Sequence, residues 1–267
     1  MIRNGPVGLL FHALFIGFIL APLAIVCVVA FTPLGYISLP TDGLSLRWFR
    51  AILDNPRFIR AFWLSLGLGT VSSLISTALA VPAALAIARF RFPGREAIAA
   101  FLLSPLMIPP IVLGVAFLRF FSAAHINGTF GGMVMAHVII ILPFALRLVL
   151  ASATGMDLAV ERAAVSLGAS RLAVFRRITL PLILPGIVSG WLLAFITSFD
   201  ELTMSIFIAS PSLTTLPVRM FLYIEDTIDP LVAAVSTLMI AGTAVLMLVL
   251  DRLVGLERLF VGKGRHH

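Results

Sequence analysis

Long apolar runs separated by short polar segments dominate the pattern of hydrophobic and polar positions in this chain. Six runs approach the ~20 residues that a helix needs to cross the hydrocarbon core of a bilayer; they cover residues 8–31, 64–88, 97–118, 132–150, 183–208 and 231–250. The first run is too long, and too poorly followed by small residues, for a cleaved signal peptide. The pattern therefore predicts an all-α membrane protein with six transmembrane helices in a single domain, residues 1–267.

The composition of the chain indicates a lipid environment. Of the 267 residues, 60% are hydrophobic and only 12% are charged, whereas soluble domains are roughly 25% charged. So few polar residues cannot cover so apolar a protein, and lipid must therefore be its outer solvent. Cys27 is the only cysteine and lies in the first apolar run, which excludes an intrachain disulfide.

The basic residues are distributed unequally between the two sides of the predicted bundle. Because the number of spans is even, both termini lie on one side. That side carries 13 of the 19 Lys and Arg residues, and the opposite side carries Arg47, Arg50, Arg57, Arg60, Arg119 and Arg219. The positive-inside rule therefore predicts that both termini are cytoplasmic. The net charge of +7 is explained by this topology, and we expect no nucleic-acid partner.

Prolines are densest in the third run, in the segment SPLMIPPIVLG at residues 104–114, which contains Pro105, Pro109 and Pro110. A proline inside a membrane helix removes a backbone hydrogen bond, and the defect is tolerated where neighbouring helices or a cavity satisfy the freed carbonyl groups. We expect a broken helix here. It either lines the translocation pathway or is a static kink that serves packing.

The segment 157–185, DLAVERAAVSLGASRLAVFRRITLPLILP, is the only long stretch that is both basic and amphipathic. Thr154 and Asp157 have the spacing of a capping box, which predicts the start of a helix. Gly168 allows the left-handed turn that ends a helix, and Ser170 can cap a second one. Apolar stripes at helical spacing cover both helices: Val160, Ala163, Ala164 and Leu167, then Leu172, Phe175 and Ile178. We expect a helix–turn–helix on the cytoplasmic surface, where it lies on the membrane or docks in a groove of another protein.

Within this segment, the order Ala163-Ala164, Gly168 and Ile178-x-Leu180-Pro181 resembles the E-A-A-x3-G-x9-I-x-L-P loop of ABC importer permeases. The resemblance implies a type I ABC importer permease fold and a cytoplasmic coupling loop, residues 154–181, that docks into a cleft of a separate ATPase subunit. One position differs, because Arg162 stands where the motif has its glutamate and Glu161 lies one residue earlier. The docking residues that the resemblance implies are Glu161, Arg162, Ala163, Ala164, Gly168, Ile178, Leu180 and Pro181.

The resemblance also implies the partners: two copies of an ATP-binding ABC subunit, a homologous permease subunit and an extracytoplasmic substrate-binding protein, assembled in the bacterial inner membrane. The chain has no G-x-x-x-x-G-K-[ST] phosphate-binding loop, so we expect ATP and Mg²⁺ to bind the partner ATPase. We expect no enzyme activity and no cofactor in this chain. Three histidines, His12, His125 and His137, are scattered along the sequence and lack the spacing of metal ligands. We therefore expect no metal site.

Two acidic residues, Asp200 and Glu201, interrupt the fifth run. An acidic side chain at the bilayer centre costs ~2.5–3.5 kcal/mol on insertion scales, so such residues usually face a cavity or a partner. Asp200 lies ~25 Å along a helix that starts at Ile183, beyond the midplane on the outer side. The pair is a counter-charge for a cationic substrate, part of an outer gate, or a structural contact at a helix end. As pathway residues we predict Asp200, Glu201, Pro105, Pro109 and Pro110.

The sequence Ser198-Phe-Asp-Glu201, followed by Leu213-Thr-Thr-Leu-Pro217, resembles the spermidine/putrescine branch of these permeases, and so does the P-x-x-x-P-x-I-V-x-G segment from Pro105 to Gly114. Related branches carry ferric iron, sulfate, molybdate, thiamine or small amino compounds. The acidic pair favours a cation, because an anion is repelled in a low-dielectric passage. Two other classes of protein stay open: a secondary transporter driven by an ion gradient, and a membrane-embedded enzyme or assembly factor.

Overall fold

Helices account for nearly all regular structure in the protein, for which a computed structural model describes residues 5–254. An isolated bridge between Ser210 and Leu213 is the one β-type pairing in this range. The helices are α1 (Pro6–Val29), α2 (Arg47–Leu53), α3 (Pro56–Arg89), α4 (Arg95–Leu103), α5 (Pro110–Ala123), α6 (Phe130–Thr154), α7 (Leu158–Ser166), α8 (Arg171–Val174), α9 (Leu180–Phe199), α10 (Ser205–Ile208), α11 (Leu216–Asp226) and α12 (Leu231–Val254). Four basic residues counted above lie outside the described range: Arg3, Arg258, Lys263 and Arg265.

Five helical segments of the described chain are long and apolar enough to cross a membrane: Pro6–Val29, Pro56–Arg89, Phe130–Thr154, Arg171–Phe199 and Leu231–Val249. A sixth span results if the bent pair Arg95–Met107 and Pro110–Ala123, whose axes meet at 101°, crosses the membrane as one unit. The helix break predicted from the prolines of residues 104–114 is therefore present. Residues 5–254 contain five or six apolar helices of spanning length, where the sequence predicts six.

The fifth predicted span differs most from the sequence-based bounds. A continuous helical path begins at Arg171, passes through a π-helical turn at Phe175–Thr179, and ends with α9 at Phe199. The predicted run to residue 208 is instead a bend followed by the short helix α10. Asp200 and Glu201 thus lie at the C-terminal end of a span, where the chain leaves the helix, and not inside a continuous one.

The described residues form two compact units. One comprises the residues up to Arg60 together with Arg219–Leu246, and the other comprises Ala61–Val218 with the described residues from Met247 onward. In the first unit, the Phe58 and Tyr223 rings meet edge to face at 5.4 Å, and the Tyr223 hydroxyl donates to Asp229 at 2.7 Å. Val29 is the only buried residue of α1, as expected for a helix whose side chains face lipid or another chain.

The core of the second unit is built on the pairing of α6 with α9. Glycines allow the two helices to approach closely: a Cβ atom at Gly190 would lie 3.1 Å from the carbonyl oxygen of Ala145, and one at Gly186 would lie 2.9 Å from that of Leu148. Small residues permit such backbone approach in membrane bundles, where packing rather than hydrophobic exclusion drives association. This helix pair positions the residues described next.

Candidate functional site

The predicted cytoplasmic helix–turn–helix is present in the structure, and local signals define its ends. The Asp157 side chain accepts the N–H of Ala159 at 2.8 Å and caps α7. Gly168 has a φ angle of +88°, and the N–H groups of Gly168 and Ala169 donate to the carbonyl groups of Val165 and Ala164. This pattern is the Schellman motif, which favours glycine at the left-handed position.

The start of this element differs from the predicted capping box. Thr154 is the last residue of α6, and its hydroxyl donates back to the carbonyl groups of Leu150 and Ala151. Asp157 alone caps α7. The second predicted cap is confirmed, because the Ser170 hydroxyl accepts the N–H of Ala173 at 3.3 Å.

Apolar side chains of this element face outward in the described chain. Leu167 is 89% exposed, and Val160, Val165 and Leu172 are about half exposed. Ala163 is exposed as well, Ala164 is half-buried, and none of the α7 residues is buried. The motif residues that follow lie closer to the membrane helices: Ile178 belongs to the π-helical turn, and Leu180 and Pro181 form the first turn of α9. A surface this apolar at the end of a helical bundle marks a site of interaction with lipid or protein.

The Glu161 carboxylate is engaged inside the chain. Its Oε1 atom accepts a hydrogen bond from Arg89 Nη2 at 2.6 Å and another from the Thr179 hydroxyl. Arg89 also donates to Thr179 at 3.5 Å. Glu161, Arg89 and Thr179 thus form a polar cluster. Arg89 is the last residue of α3, and nothing in the sequence pattern marked Arg89 or Thr179 as a functional residue. Arg162, which occupies the glutamate position of the motif, is exposed and has no side-chain hydrogen bond or ion pair within residues 5–254.

A cavity of about 530 Å³ lies beside this cluster. Three of its lining residues are arginines and one is acidic; in full they are Arg89, Glu161, Arg162, Val165, Ser166, Arg171, Val174, Phe175 and Thr179. Since Glu161 is already paired with Arg89, the opening of the cavity carries an excess of positive charge.

The acidic pair forms a corner after α9, which we call the acidic corner and define as residues 200–205. The Glu201 carboxylate accepts the N–H groups of Met204 and Ser205, both at 2.8 Å, and the Ser205 hydroxyl at 2.7 Å. It thereby satisfies backbone groups at the bend that leads into α10. The Asp200 side chain is exposed and makes no hydrogen bond or ion pair to any residue of the described range.

A buried histidine on α6 ties the acidic corner to the bundle. His137 is fully buried; its Nδ1 atom lies 2.8 Å from the Ser198 hydroxyl and its Nε2 atom 3.1 Å from the Ser205 hydroxyl. A neutral imidazole has one donor and one acceptor nitrogen, so each serine completes one of its two hydrogen bonds. Glu201, Ser205, His137 and Ser198 thus form one chain of hydrogen bonds. Sequence reasoning missed His137 because its partners lie more than 60 positions away.

The broken span contacts the acidic corner from another side. Pro105 lies in the 3-10 turn Ser104–Met107, Pro109 is the N-cap of α5 and Pro110 is its first residue. The N-cap and the first turn of a helix need no N–H donor. One helical turn further, a Cβ atom at Gly114 would lie 3.1 Å from the Met204 Cα atom. Helix α5, which begins at Pro110, therefore packs against the backbone of the acidic corner.

Comparison with known proteins places this architecture in a family. Residues 76–256 match the family described as "Binding-protein-dependent transport system inner membrane component". The chain is 33% identical to the spermidine/putrescine transport system permease protein PotC of Haemophilus influenzae, over 81% of this chain and 84% of that protein. It is 32% identical to the putrescine transport system permease protein PotI of Escherichia coli, over 85% and 83% of the two chains. The molybdenum transport system permease protein ModB of Mycobacterium bovis is 30% identical over 79% and 87%.

Two solved structures have the same fold. A bacterial ABC transporter involved in the import of alginate has a TM-score of 0.66 at 15% identity and covers 92% of this chain and 94% of its own. The MetNI methionine ABC transporter has a TM-score of 0.62 at 20% identity and covers 74% and 94%. The chain belongs to the binding-protein-dependent transport system inner membrane components, as a multi-pass inner-membrane permease subunit of a bacterial ABC importer in the polyamine branch.

Proposed function

We propose that this chain imports a small cationic solute of the polyamine class, as one of two permease subunits driven by two copies of an ATPase. In this proposal the cytoplasmic helix–turn–helix docks on the ATPase, and ATP binding opens the cavity outward to receive solute from an extracytoplasmic binding protein. Hydrolysis then returns the cavity to the inward-facing state. The ATP and Mg²⁺ bind the ATPase, and this chain contributes movement and a passage.

The exposed carboxylate of Asp200 is the observation that carries the choice of solute. Glu201 beside it is occupied by the N–H groups of Met204 and Ser205, whereas Asp200 makes no side-chain bond within the described residues. A free carboxylate at the end of a span attracts ammonium groups and repels oxyanions, and the effect is stronger than in bulk water where the local dielectric constant is low. Two relatives, PotC and PotI, belong to spermidine/putrescine and putrescine transport systems, which agrees with this charge preference.

An oxyanion is the second candidate solute, because one relative is named as a molybdenum permease. The excess of arginine at the cytoplasmic cavity does not favour it over a cation, since that cavity lies beside the docking loop and not beside the acidic corner. Ferric iron and thiamine share the positive charge of a polyamine and differ from it in size and shape.

Uptake by the reconstituted complex tests the proposal. The chain, its permease partner and the ATPase are placed in proteoliposomes with the binding protein, and labelled putrescine, spermidine, ferric iron, thiamine and molybdate are compared. We expect ATP-dependent uptake of a polyamine that stops when ATP is withheld. ATP-dependent uptake of molybdate alone would contradict the cationic assignment. Uptake that needs no ATP and stops when an ion gradient is collapsed would identify a secondary transporter.

A further inference from the structure

A single ion pair connects helix α7 to the membrane helices. Among the side chains that the structure describes, the pair between Arg89 and Glu161 is the only salt bridge, and it joins α7 to the cytoplasmic end of α3. Helix α7 buries none of its own residues, so apolar packing contributes little to its attachment. The position of α7 relative to the bundle therefore depends on this side-chain cluster.

The cluster is shielded from water. The Arg89 and Glu161 side chains are 20% and 15% exposed, and Thr179 is fully buried. Attraction between the two charges is stronger at such a site than at an open surface, because fewer water molecules screen it. The Thr179 hydroxyl donates to the same carboxylate oxygen that accepts from Arg89, which fixes the carboxylate from two directions.

Three elements meet at the Glu161 carboxylate. Arg89 ends α3, a helix of 34 residues, and Thr179 ends the π-helical turn that leads directly into α9. Helix α9 in turn ends at the acidic corner. Single π-helical turns inside α-helices occur frequently at functional sites. A displacement of α7 is thus transmitted by one carboxylate to the start of the helix that carries Asp200 at its other end.

We propose that Glu161 is a positioning residue that makes α7, the end of α3 and the start of α9 move as one body, so that movement of the docked loop reaches the translocation pathway. The inference rests on the proposed function. It assigns different tasks to the two neighbours at the motif position: Glu161 points into the chain and transmits movement, while Arg162 is exposed and faces the partner.

Parallel measurement of ATP hydrolysis and solute uptake in proteoliposomes tests this role. In Glu161→Gln we expect the ATPase to co-purify and to hydrolyse ATP, while the solute moved per ATP hydrolysed falls at least tenfold. The charge-swapped double variant Arg89→Glu/Glu161→Arg should recover much of that ratio. The control is Arg91→Gln, an exposed arginine two residues beyond Arg89, which should leave the ratio unchanged.

Two results would overturn the proposal. A Glu161→Gln complex that moves as much solute per ATP as the wild type shows that the pair transmits nothing. Loss of ATPase co-purification in the same variant shows instead that Glu161 serves docking. Uptake by the wild-type complex is measured before any variant is compared. A wild-type complex without ATP-driven uptake contradicts the proposed function itself.

A cross-link tests the role without relying on the ion pair. Cysteines replace Arg89 and Glu161 in a Cys27→Ala background, and a short bifunctional thiol reagent joins them. The solute moved per ATP should be low before cross-linking, because the ion pair is absent, and should rise when the linker makes the two positions move together. A ratio that does not rise on cross-linking, or that rises further when a cleavable linker is cut, would overturn the proposal.

Discussion

The two acidic side chains after α9 differ in the number of hydrogen bonds that they accept. Glu201 accepts two backbone N–H groups and one hydroxyl, all at 2.7–2.8 Å, so its carboxylate is part of the local backbone structure. Asp200 is exposed and makes no such contact among the described residues. The sequence predicts both as pathway residues, and the geometry leaves Asp200 as the carboxylate that is free to meet a solute.

Asp200→Asn removes the charge and keeps the size of the side chain. We expect uptake of a cationic solute to fall about tenfold, which corresponds to about 1.4 kcal/mol, with an unchanged melting temperature of the purified protein. Glu201→Gln is the matched comparison. It loses one acceptor at the bend and should lower stability by about 1–2 kcal/mol. Equal uptake kinetics in Asp200→Asn and the wild type would assign Asp200 a structural role only.

His137 provides the second prediction for a single residue. His137→Leu leaves the buried Ser198 hydroxyl without its partner, while the Ser205 hydroxyl keeps its bond to Glu201. The unsatisfied group costs about 1–3 kcal/mol. We expect a clear loss of thermal stability in detergent and reduced uptake, because the acidic corner is no longer tied to α6. The control is His125→Asn, since His125 is exposed, with a φ angle of +56° that asparagine tolerates. A His137→Leu protein as stable as this control would contradict the argument.

At the scale of elements, the contact of α6 with α9 depends on glycine. Gly190→Val places methyl groups where Ala145 backbone atoms lie within 3.3 Å of a Cβ position, so the helices must separate. Overpacking of this kind costs about 1–3 kcal/mol. We expect a lower yield of monodisperse protein in size-exclusion chromatography and a lower melting temperature. Gly67→Val is the control, because a Cβ atom at Gly67 meets nothing within 4 Å; equal behaviour of the two variants would argue against close packing.

Gly168, in the predicted docking loop, has a matched control in Gly94, which lies outside that loop. Gly168 and Gly94 both have positive φ angles, +88° and +82°, and a Cβ atom at either would meet nothing within 4 Å. Gly168→Asp and Gly94→Asp therefore impose similar backbone strain, and only the first alters the docking loop. We expect Gly168→Asp to abolish uptake and ATPase co-purification without loss of folded protein, and Gly94→Asp to resemble the wild type. Normal uptake and retained ATPase in Gly168→Asp would contradict docking through this loop.

At the scale of the whole molecule, the orientation in the membrane is a prediction from charge. Cysteines are placed at Leu44 and Leu167, which are 78% and 89% exposed, in a Cys27→Ala background. We expect an impermeant maleimide to label Leu44→Cys in right-side-out membranes and Leu167→Cys only in inside-out vesicles washed free of the ATPase. The reverse pattern would place both termini outside and contradict the positive-inside argument.

Local signals explain why the helix–turn–helix formed by α7 and α8 was predictable. Asp157, Gly168 and Ser170 act on backbone groups no more than three positions away, so their effect can be read from adjacent sequence. The proline break is local for the same reason. The predicted Thr154 cap was wrong because α6 continues to that residue, and apolar periodicity alone did not show where the membrane helix ends.

By itself the sequence determined the membrane environment, the helical class, the broken third run and the helix–turn–helix that follows α6, because hydropathy, caps and prolines act over a few residues. Only the tertiary structure decided that Glu161 pairs with Arg89, 72 positions away, that His137 joins α6 to the acidic corner, and that α9 ends before Asp200. The physical reason is common to all three. A buried polar group must find a partner, and which partner it finds depends on helices brought together by packing, not on their separation along the chain.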